Sequence, residues 1–436
     1  MGIPVKANPP ESVELRLRYG SVERSCRVPA RRLVEIVGPR PVPAGQEQEA
    51  DLIRRALDEP IGTPRLEDMV QPGQRIVIIV DDIARPTPVD RILPAILERL
   101  ARAGVADEHV TIVMALGTHR PMTQPEIEAK VGSAIVRRVR VENHDFQNPG
   151  SLAYVGQSED GIPVWINRRV QEAGFRIAVG NIVPHPVAGW AGGGKIVYPG
   201  VAGIQTVDGF HGAFGTDLRN RLGADHTPIR DEIERLVRHV GLEFIVNTVL
   251  TGDGVIYRVV AGDFCQAHRR GVAYAREIYA VPAQVKADVA LVSSYPADID
   301  FWQAGKAVYA GELLLRDGGT LILLTPCPER VVQNHDLLYY MRFTPAELQH
   351  QLRTFQVADR AAAAAAVRVG LVNARVRVVV VSDGLTAADA AGLGFGYQPE
   401  LQRAVDEALA TYGENSRLSV LMHGGDIFPA ALEAGQ

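Results

Sequence analysis

The sequence predicts an α/β protein made of two α/β domains with a cofactor and substrate cleft between them. Three observations carry this. Continuous apolar runs such as "RIVIIV" (75–80) mark strands covered on both faces. Stretches with helical apolar spacing alternate with them. The pattern then restarts near residue 283 of a 436-residue chain, a length that favours more than one core.

The elements follow in order. "VELRLRY" (13–19) alternates apolar and polar residues, as a half-buried strand does. Residues 31–62 are mixed, with a helix expected over 46–58. After "RIVIIV" comes the loop "DDIARPTP", then a helix from about Val89 to Ala103. Its residues Val89, Ile92, Leu93, Ile96, Leu97 and Leu100 share one stripe, Pro88 suits its first turn and Gly104 closes it. "VTIVMAL" (110–116) is the next strand and ends in "GTHRP". In such βαβ units ligands collect beyond the carboxyl ends of the strands, where both of these loops lie. "FRIAVGNIV" (175–183) is a third strand, a helix follows Thr227-Pro228 to about Val240, and "EFIVNTVL" and "VIYRVVAG" form a hairpin about Asp253-Gly254. Further on, "ADVALVSS", "TLILLTPCP", "RVRVVVVSDGL" and "RLSVLMHGGD" read as parallel strands, with an alanine-rich helix at 360–370. The expected boundaries are 1–283 for the first domain and 284–414 for the second, with 415–436 able to return to the first.

Composition narrows the function. Hydrophobic residues are 46% and charged residues 22%, ordinary for a globular chain, and the net charge of −5 offers no basic surplus for nucleic acid. The first residues hold no apolar stretch of the kind a secretory signal needs, and no run approaches the roughly 20 apolar residues of a membrane span. Three widely spaced cysteines make neither a zinc pattern nor a disulfide framework, which fits a cytoplasmic location.

The most informative stretch is "VPHPVAGWAGGGKIVYPG" (183–200). From Gly189 it satisfies seven places of a phosphate-binding P-loop, but Ile196 replaces the hydroxyl that would hold magnesium, and Pro199 interrupts the helix that should follow Lys195. The plain reading is a glycine-rich surface turn. Against it stand three histidines near strand ends or this loop: His119 in "LGTHRP", His185 ten residues before Lys195, and His211 sixteen after it. Asp82 and Arg85 in "DDIARP", and Gln303 and Lys306 in "FWQAGKA", add charge, although Arg85 with Asp82 also reads as a surface ion pair, and Gln303 with Lys306 as a solvated helix face. Histidines with Lys and Arg fit a small carboxylate held by cations while imidazoles move protons. They also fit a zinc-dependent hydrolase using His119, His185 and His211, or a non-catalytic carboxylate- or nucleotide-binding protein.

Taken in order, "DDIARPTP", "LGTHRP", "PHPVAGWAGGGKIVYPG", "DGFHG" and "FWQAGKA" resemble the lactate racemase-like family of nickel-pincer enzymes. The resemblance implies a racemase or epimerase that inverts the carbinol carbon of a 2-hydroxy acid by hydride transfer through a 2-keto acid. The implied cofactor is the nickel-pincer nucleotide (nickel pyridinium-3,5-bisthiocarboxylic acid mononucleotide), supplied by separate cofactor-synthesis enzymes. On this resemblance Lys195 is the covalent tether, His211 completes the coordination of nickel, and His119 and His185 are the acid/base pair. Gly192, Gly193 and Gly194 allow close approach of the cofactor, and Asp82 on the same side orients Arg85 or a histidine. Arg85, Gln303, Lys306 and Trp302 match residues around the substrate. Pro186, Trp190 and Trp302 depart from the family pattern where the substrate is implied to sit, so the resemblance does not carry lactate itself.

Overall fold

A computed structural model describes residues 11–42, 48–283 and 286–430. Two compact units emerge, one from Pro39–Ala280 and Gln333–Arg368, the other from Met1–Gly38, Val281–Val332 and Val369–Gln436 over their described residues.

The first unit is organised on a six-stranded sheet in the order Ile256–Gly262, Phe244–Leu250, Phe175–Asn181, Ile76–Asp81, Val110–Ala115, Arg140–Asn143. All neighbours are parallel except the Phe244–Leu250 and Ile256–Gly262 hairpin. Every residue of Ile76–Asp81 and of Phe175–Asn181 is buried, as the continuous apolar runs require of central strands. On one face Ile76, Ile78, Val80, Ile177 and Val179 pack against Ile92, Leu93, Ile96, Leu97 and Leu100 of the helix Val89–Arg102. Burying each such side chain contributes about 1.5–3 kcal/mol, enough to fix which face of every strand looks inward. From Ile76–Asp81 the chain winds outward through the next two strands. It then returns to the other side at Phe175–Asn181. These two central strands therefore flank the topological switch point, where open α/β sheets bind ligands.

The second unit holds another six-stranded sheet, Gly396–Tyr397, Arg377–Val381, Leu315–Leu324, Ala287–Ser293, Leu418–Leu421, Leu33–Val37, parallel throughout. Its switch point lies between Ala287–Ser293 and Leu418–Leu421.

The grouping departs from boundaries at 283 and 414 in three places, each for a packing reason. The strand Leu33–Val37 pairs with Leu418–Leu421, and Leu15, Leu17, Tyr19, Cys26 and Val28 pack with Val289, Leu291 and Val420, so the first strands belong to the second unit. The strand Leu418–Leu421 lies inside that same sheet rather than returning to the first. Residues 333–368 join the first unit, where Arg368 Nη2 donates to the Pro186 carbonyl at 3.1 Å and the Ala361 amide to Asp208 at 3.2 Å. Most other elements match the expected ones within a few residues, the early helix spanning Glu49–Asp58. The short hairpin of Leu152–Gln157 with Val164 and its neighbours, through Asn167, is an addition.

Candidate active site

Strand ends at the switch point of the first unit bring most of the candidate residues together. Ile76–Asp81 ends in Asp81, Asp82 follows it, and the two acids have different partners. Asp81 accepts from Thr87 Oγ1 at 2.5 Å and pairs with Lys130 at 3.1 Å. Burial pushes its carboxyl upward despite Lys130. Lys130 also donates to the Arg85 carbonyl at 2.7 Å, pinning the loop that carries Arg85. Asp82 pairs with His119, its Oδ2 lying 2.5 Å from Nδ1. Burial would raise the Asp82 carboxyl, but the His119 charge and hydrogen bond, with help from Arg85, outweigh it and hold it at about 2. An ionised carboxylate accepts the Nδ1 proton, so His119 directs Nε2 away from it as the proton-accepting atom. The expected Arg85–Asp82 surface pair is thus not the main partnership; Asp82 is 4% exposed and serves His119.

His185 stands at the end of a two-strand turn in which it faces Gly189. Its Nδ1 accepts the amides of Val187 and Ala188 at 3.2 and 3.1 Å. That fixes the opposite tautomer from His119, with the ring proton on Nε2.

The glycine-rich loop does not continue into a helix at Lys195. A single 3-10 turn, Gly193–Ile196, follows, and the next helix begins at Ile204. The phosphate-loop geometry is absent. The loop is instead fastened from beneath. The buried Arg230 donates to the carbonyls of Trp190, Ala188 (3.4 Å) and Gly192 (3.3 Å). His268 bonds the Ala191 carbonyl at 2.8 Å, and Asn247 Oδ1 accepts the Gly193 amide at 2.8 Å. A Cβ at Gly192, Gly193 or Gly194 would meet Ile182, His268 or Val237 at 2.8–2.9 Å. The glycines are therefore required by the packing of the loop on its own framework, a demand separate from any ligand. Trp190, a departure expected near the substrate, is 2% exposed and donates Nε1–H to the Gly223 carbonyl at 3.1 Å, which is a framework role.

Lys195 lies in surroundings that disfavour its charge. Burial, then the charges of Arg85 and Arg230, bring its amine down to about 7, with Asp82 opposing. His211, on the helix Ile204–Phe214, donates Nδ1–H to the Val207 carbonyl at 2.9 Å, and the Tyr198 hydroxyl lies 3.0 Å from the same nitrogen. Its Nε2 consequently carries the lone pair, and burial lowers the imidazole to about 4, keeping it neutral. Among the described residues no group of three or more His, Cys, Asp or Glu side chains is arranged to hold a metal, so His119, His185 and His211 lack the geometry a three-histidine zinc hydrolase needs.

In the second unit Gln303 and Lys306 lie on the helix Phe301–Gly311, capped by Asp300, whose carboxylate accepts the Gln303 amide at 2.8 Å. Lys306 Nζ donates to Gln303 Oε1 at 2.7 Å. Gln303 is 3% exposed, so this is not a solvated face. Trp302 beside it is partly exposed. Past the strand Leu418–Leu421, Asp426 is buried, its carboxyl pushed well up by burial against the charge of Lys306, with His423 Nδ1 3.9 Å away. Neither His423 nor Asp426 stands out in sequence beyond following a strand, and Arg230, Asn247 and His268 give no local signal at all.

Fold and geometry together define an α/β enzyme with imidazoles of opposite tautomer and a weakly basic lysine at one sheet edge. Comparison with known proteins narrows this class. Residues 19–223 match the lactate racemase N-terminal domain family. The chain is 32% identical over 323 residues to a lactate racemase of Thermoanaerobacterium thermosaccharolyticum, covering 72% of this chain and 75% of that one. It is 35% identical over 280 residues to a lactate racemase of Lactiplantibacillus plantarum, covering 63% and 66%. The structure of the lactate racemase apoprotein from T. thermosaccharolyticum superposes with a TM-score of 0.85 at 26% identity, covering 95% of this chain and 99% of that one. A protein from Thermotoga maritima shares the fold at a TM-score of 0.70 and 21% identity, covering 88% and 99%. The chain belongs to the lactate racemase family and is an isomerase, a racemase.

Proposed function

We propose that this racemase inverts the carbinol carbon of a 2-hydroxy acid with a nickel-pincer nucleotide tethered to Lys195. The observation that carries the reading is the pairing of a lysine whose amine is brought to about 7 with two histidines of fixed, opposite tautomer on adjoining loops. The residues fit the cofactor. An amine brought to about 7 keeps a substantial free-base fraction at neutral pH, which suits a covalent tether. His211 offers an imidazole Nε2 whose ring is oriented by the Val207 carbonyl, the usual arrangement of a metal-binding histidine, and imidazole suits nickel. When bound, the group supplies a hydride acceptor, which opens a route through the flat 2-keto acid and avoids the very weak acidity of the Cα–H.

The protein's own residues then have definite tasks. In the first unit Arg85 is able to grip a carboxylate bidentately, and in the second Lys306 with Gln303, beside Trp302, offers an ammonium for an anion. His119 takes the hydroxyl proton on Nε2, and Asp82 stabilises the imidazolium that forms. His185 donates Nε2–H to the substrate oxygen. Starting from the other enantiomer the two roles exchange, and His185 must shed the Val187 and Ala188 amides before its Nε2 can accept a proton. A panel of single-enantiomer 2-hydroxy acids followed by polarimetry, on protein produced with the cofactor-making enzymes, tests this. Loss of rotation with at least one acid is expected; no change with any of them contradicts it.

A further inference from the structure

The loop bearing His119 is held by residues far away in the sequence. Thr118 Oγ1 lies 2.7 Å from His335 Nε2, and Asn334 Nδ2 donates to the Thr118 carbonyl at 2.8 Å. His335 Nδ1 is 3.1 Å from both carboxylate oxygens of Asp359. That carboxylate is itself fixed by the amides of Asp336 (3.0 Å) and Ala362 (2.9 Å), and the His335 side chain is only 2% exposed. All these residues belong to the first unit.

The chain of bonds has one consistent proton arrangement. Burial would raise the Asp359 carboxyl, but His335 and the two amides outweigh it and keep it ionised. It therefore accepts Nδ1–H of His335, leaving the lone pair on Nε2, and the Thr118 hydroxyl donates to that nitrogen. Three successive loop residues are thereby tied: the Gly117 amide to the Gly200 carbonyl at 2.9 Å, Thr118 to His335 and Asn334, and the His119 ring to Asp82. Asp82 sets the direction of the ring, and the Leu116 carbonyl accepts the His119 amide at 3.0 Å, but neither bond reaches beyond the loop to the segment at 334–359. The Thr118 contacts add the tie to that distant segment, at the residue just before His119.

We propose that His335 and Asp359 are positioning residues for the racemase reaction, acting through Thr118 to hold His119 at its proton-transfer distance. This rests on the assignment of His119 as the acid/base group. A base must sit within hydrogen-bond reach of the proton it takes, and a misplacement of about 1 Å costs on the order of 10²-fold. The relay secures that reach without touching substrate.

The test compares Thr118→Val, which keeps the shape and loses the hydroxyl, with Thr118→Ser, which keeps the hydroxyl, and adds His335→Asn and Asp359→Asn. In cofactor-loaded protein, Thr118→Val, His335→Asn and Asp359→Asn are expected to lower kcat about 10- to 100-fold with KM within about threefold, while Thr118→Ser stays within about threefold of the parent. Combining Thr118→Val with Asp82→Asn is expected to cost less than the product of the two single losses, because both act on one imidazole. In the cofactor-free chain with 13C-labelled histidine, the His119 ring resonance, identified by its loss in His119→Ala, is expected to shift in Thr118→Val and not in Thr118→Ser. A Thr118→Val protein with parental kcat and an unmoved His119 resonance overturns the proposal, as does equal loss in the Ser and Val variants. A resonance that moves in Thr118→Val as expected, in a chain whose cofactor-loaded parent racemises no hydroxy acid, overturns the functional assignment instead.

Discussion

At the switch point of the sheet containing Ile76–Asp81, the carboxyl edge carries Asp82, Arg85, His119, His185 and Lys195, a set of one carboxylate, one guanidinium, two imidazoles and one amine. At the corresponding point of the sheet containing Ala287–Ser293, the edge carries Gln303 and Lys306, with a buried Asp426 nearby whose carboxyl burial pushes well up. Both sites obey the same topological rule, yet their electrostatics differ. In the first unit an ionised Asp82 and a lysine brought to about 7 create reactive partners. In the second, the ammonium of Lys306 is bound to the Gln303 carbonyl oxygen, an arrangement suited to gripping an anion. The proposed function reads this difference as a division of labour, proton transfer in the first unit and anion binding in the second.

The largest effects should come from the first unit. Lys195→Ala is expected to reduce racemisation to background and to abolish the covalent adduct, read by polarimetry and intact mass. His119→Ala should cost about 10²–10⁴-fold in kcat with the adduct retained, and Asp82→Asn somewhat less, since the ring remains but loses its carboxylate. Next comes the second unit. Lys306→Ala should raise KM about 10- to 100-fold, the worth of a charge-assisted hydrogen bond of roughly 1.5–3 kcal/mol, and leave kcat within a few fold. A Lys306→Ala protein whose loss fell wholly in kcat would break the division of labour.

Two smaller effects sharpen it. The unloaded protein should acylate at Lys195 with a half-maximal rate near pH 7, measured by peptide mass spectrometry after brief labelling at a series of pH values. Because the folded amine titrates below its ordinary value of 10.5, holding the charged ammonium in these surroundings disfavours folding at low pH; stability rises through the interval from about 7 to 10.5 and is lost as pH falls back through it. A half-point above 9 would place Lys195 in ordinary solvent. The opposite tautomers of His119 and His185 also predict unequal kcat for the two enantiomers. An equilibrium constant of one requires equal kcat/KM in the two directions, so the asymmetry must be matched in KM. Initial rates from each pure enantiomer measure it, and identical kcat values would contradict the fixed tautomers.

Much of this was readable in the sequence. The helix stripe from Val89 to Leu100 and the apolar runs at 76–80 and 175–181 are set by local periodicity, and the structure places them where that periodicity requires. The residues His119, His185, Lys195 and His211 stood out because strand ends and a glycine-rich loop concentrate chemistry. What stayed hidden depends on distant partners. Nothing local in "LVEIV" pairs it with a strand near residue 420, and nothing near His335 points to Thr118. The glycines illustrate a third case: their presence was legible, but the contacts with Ile182, His268 and Val237 that require them were not.

The most direct test of the central claim is the intact mass and metal content of protein produced together with the cofactor-making enzymes, with the modified peptide mapped. A nucleotide-sized adduct on Lys195 with one equivalent of nickel is the predicted result. An active protein whose Lys195 is unmodified would contradict it.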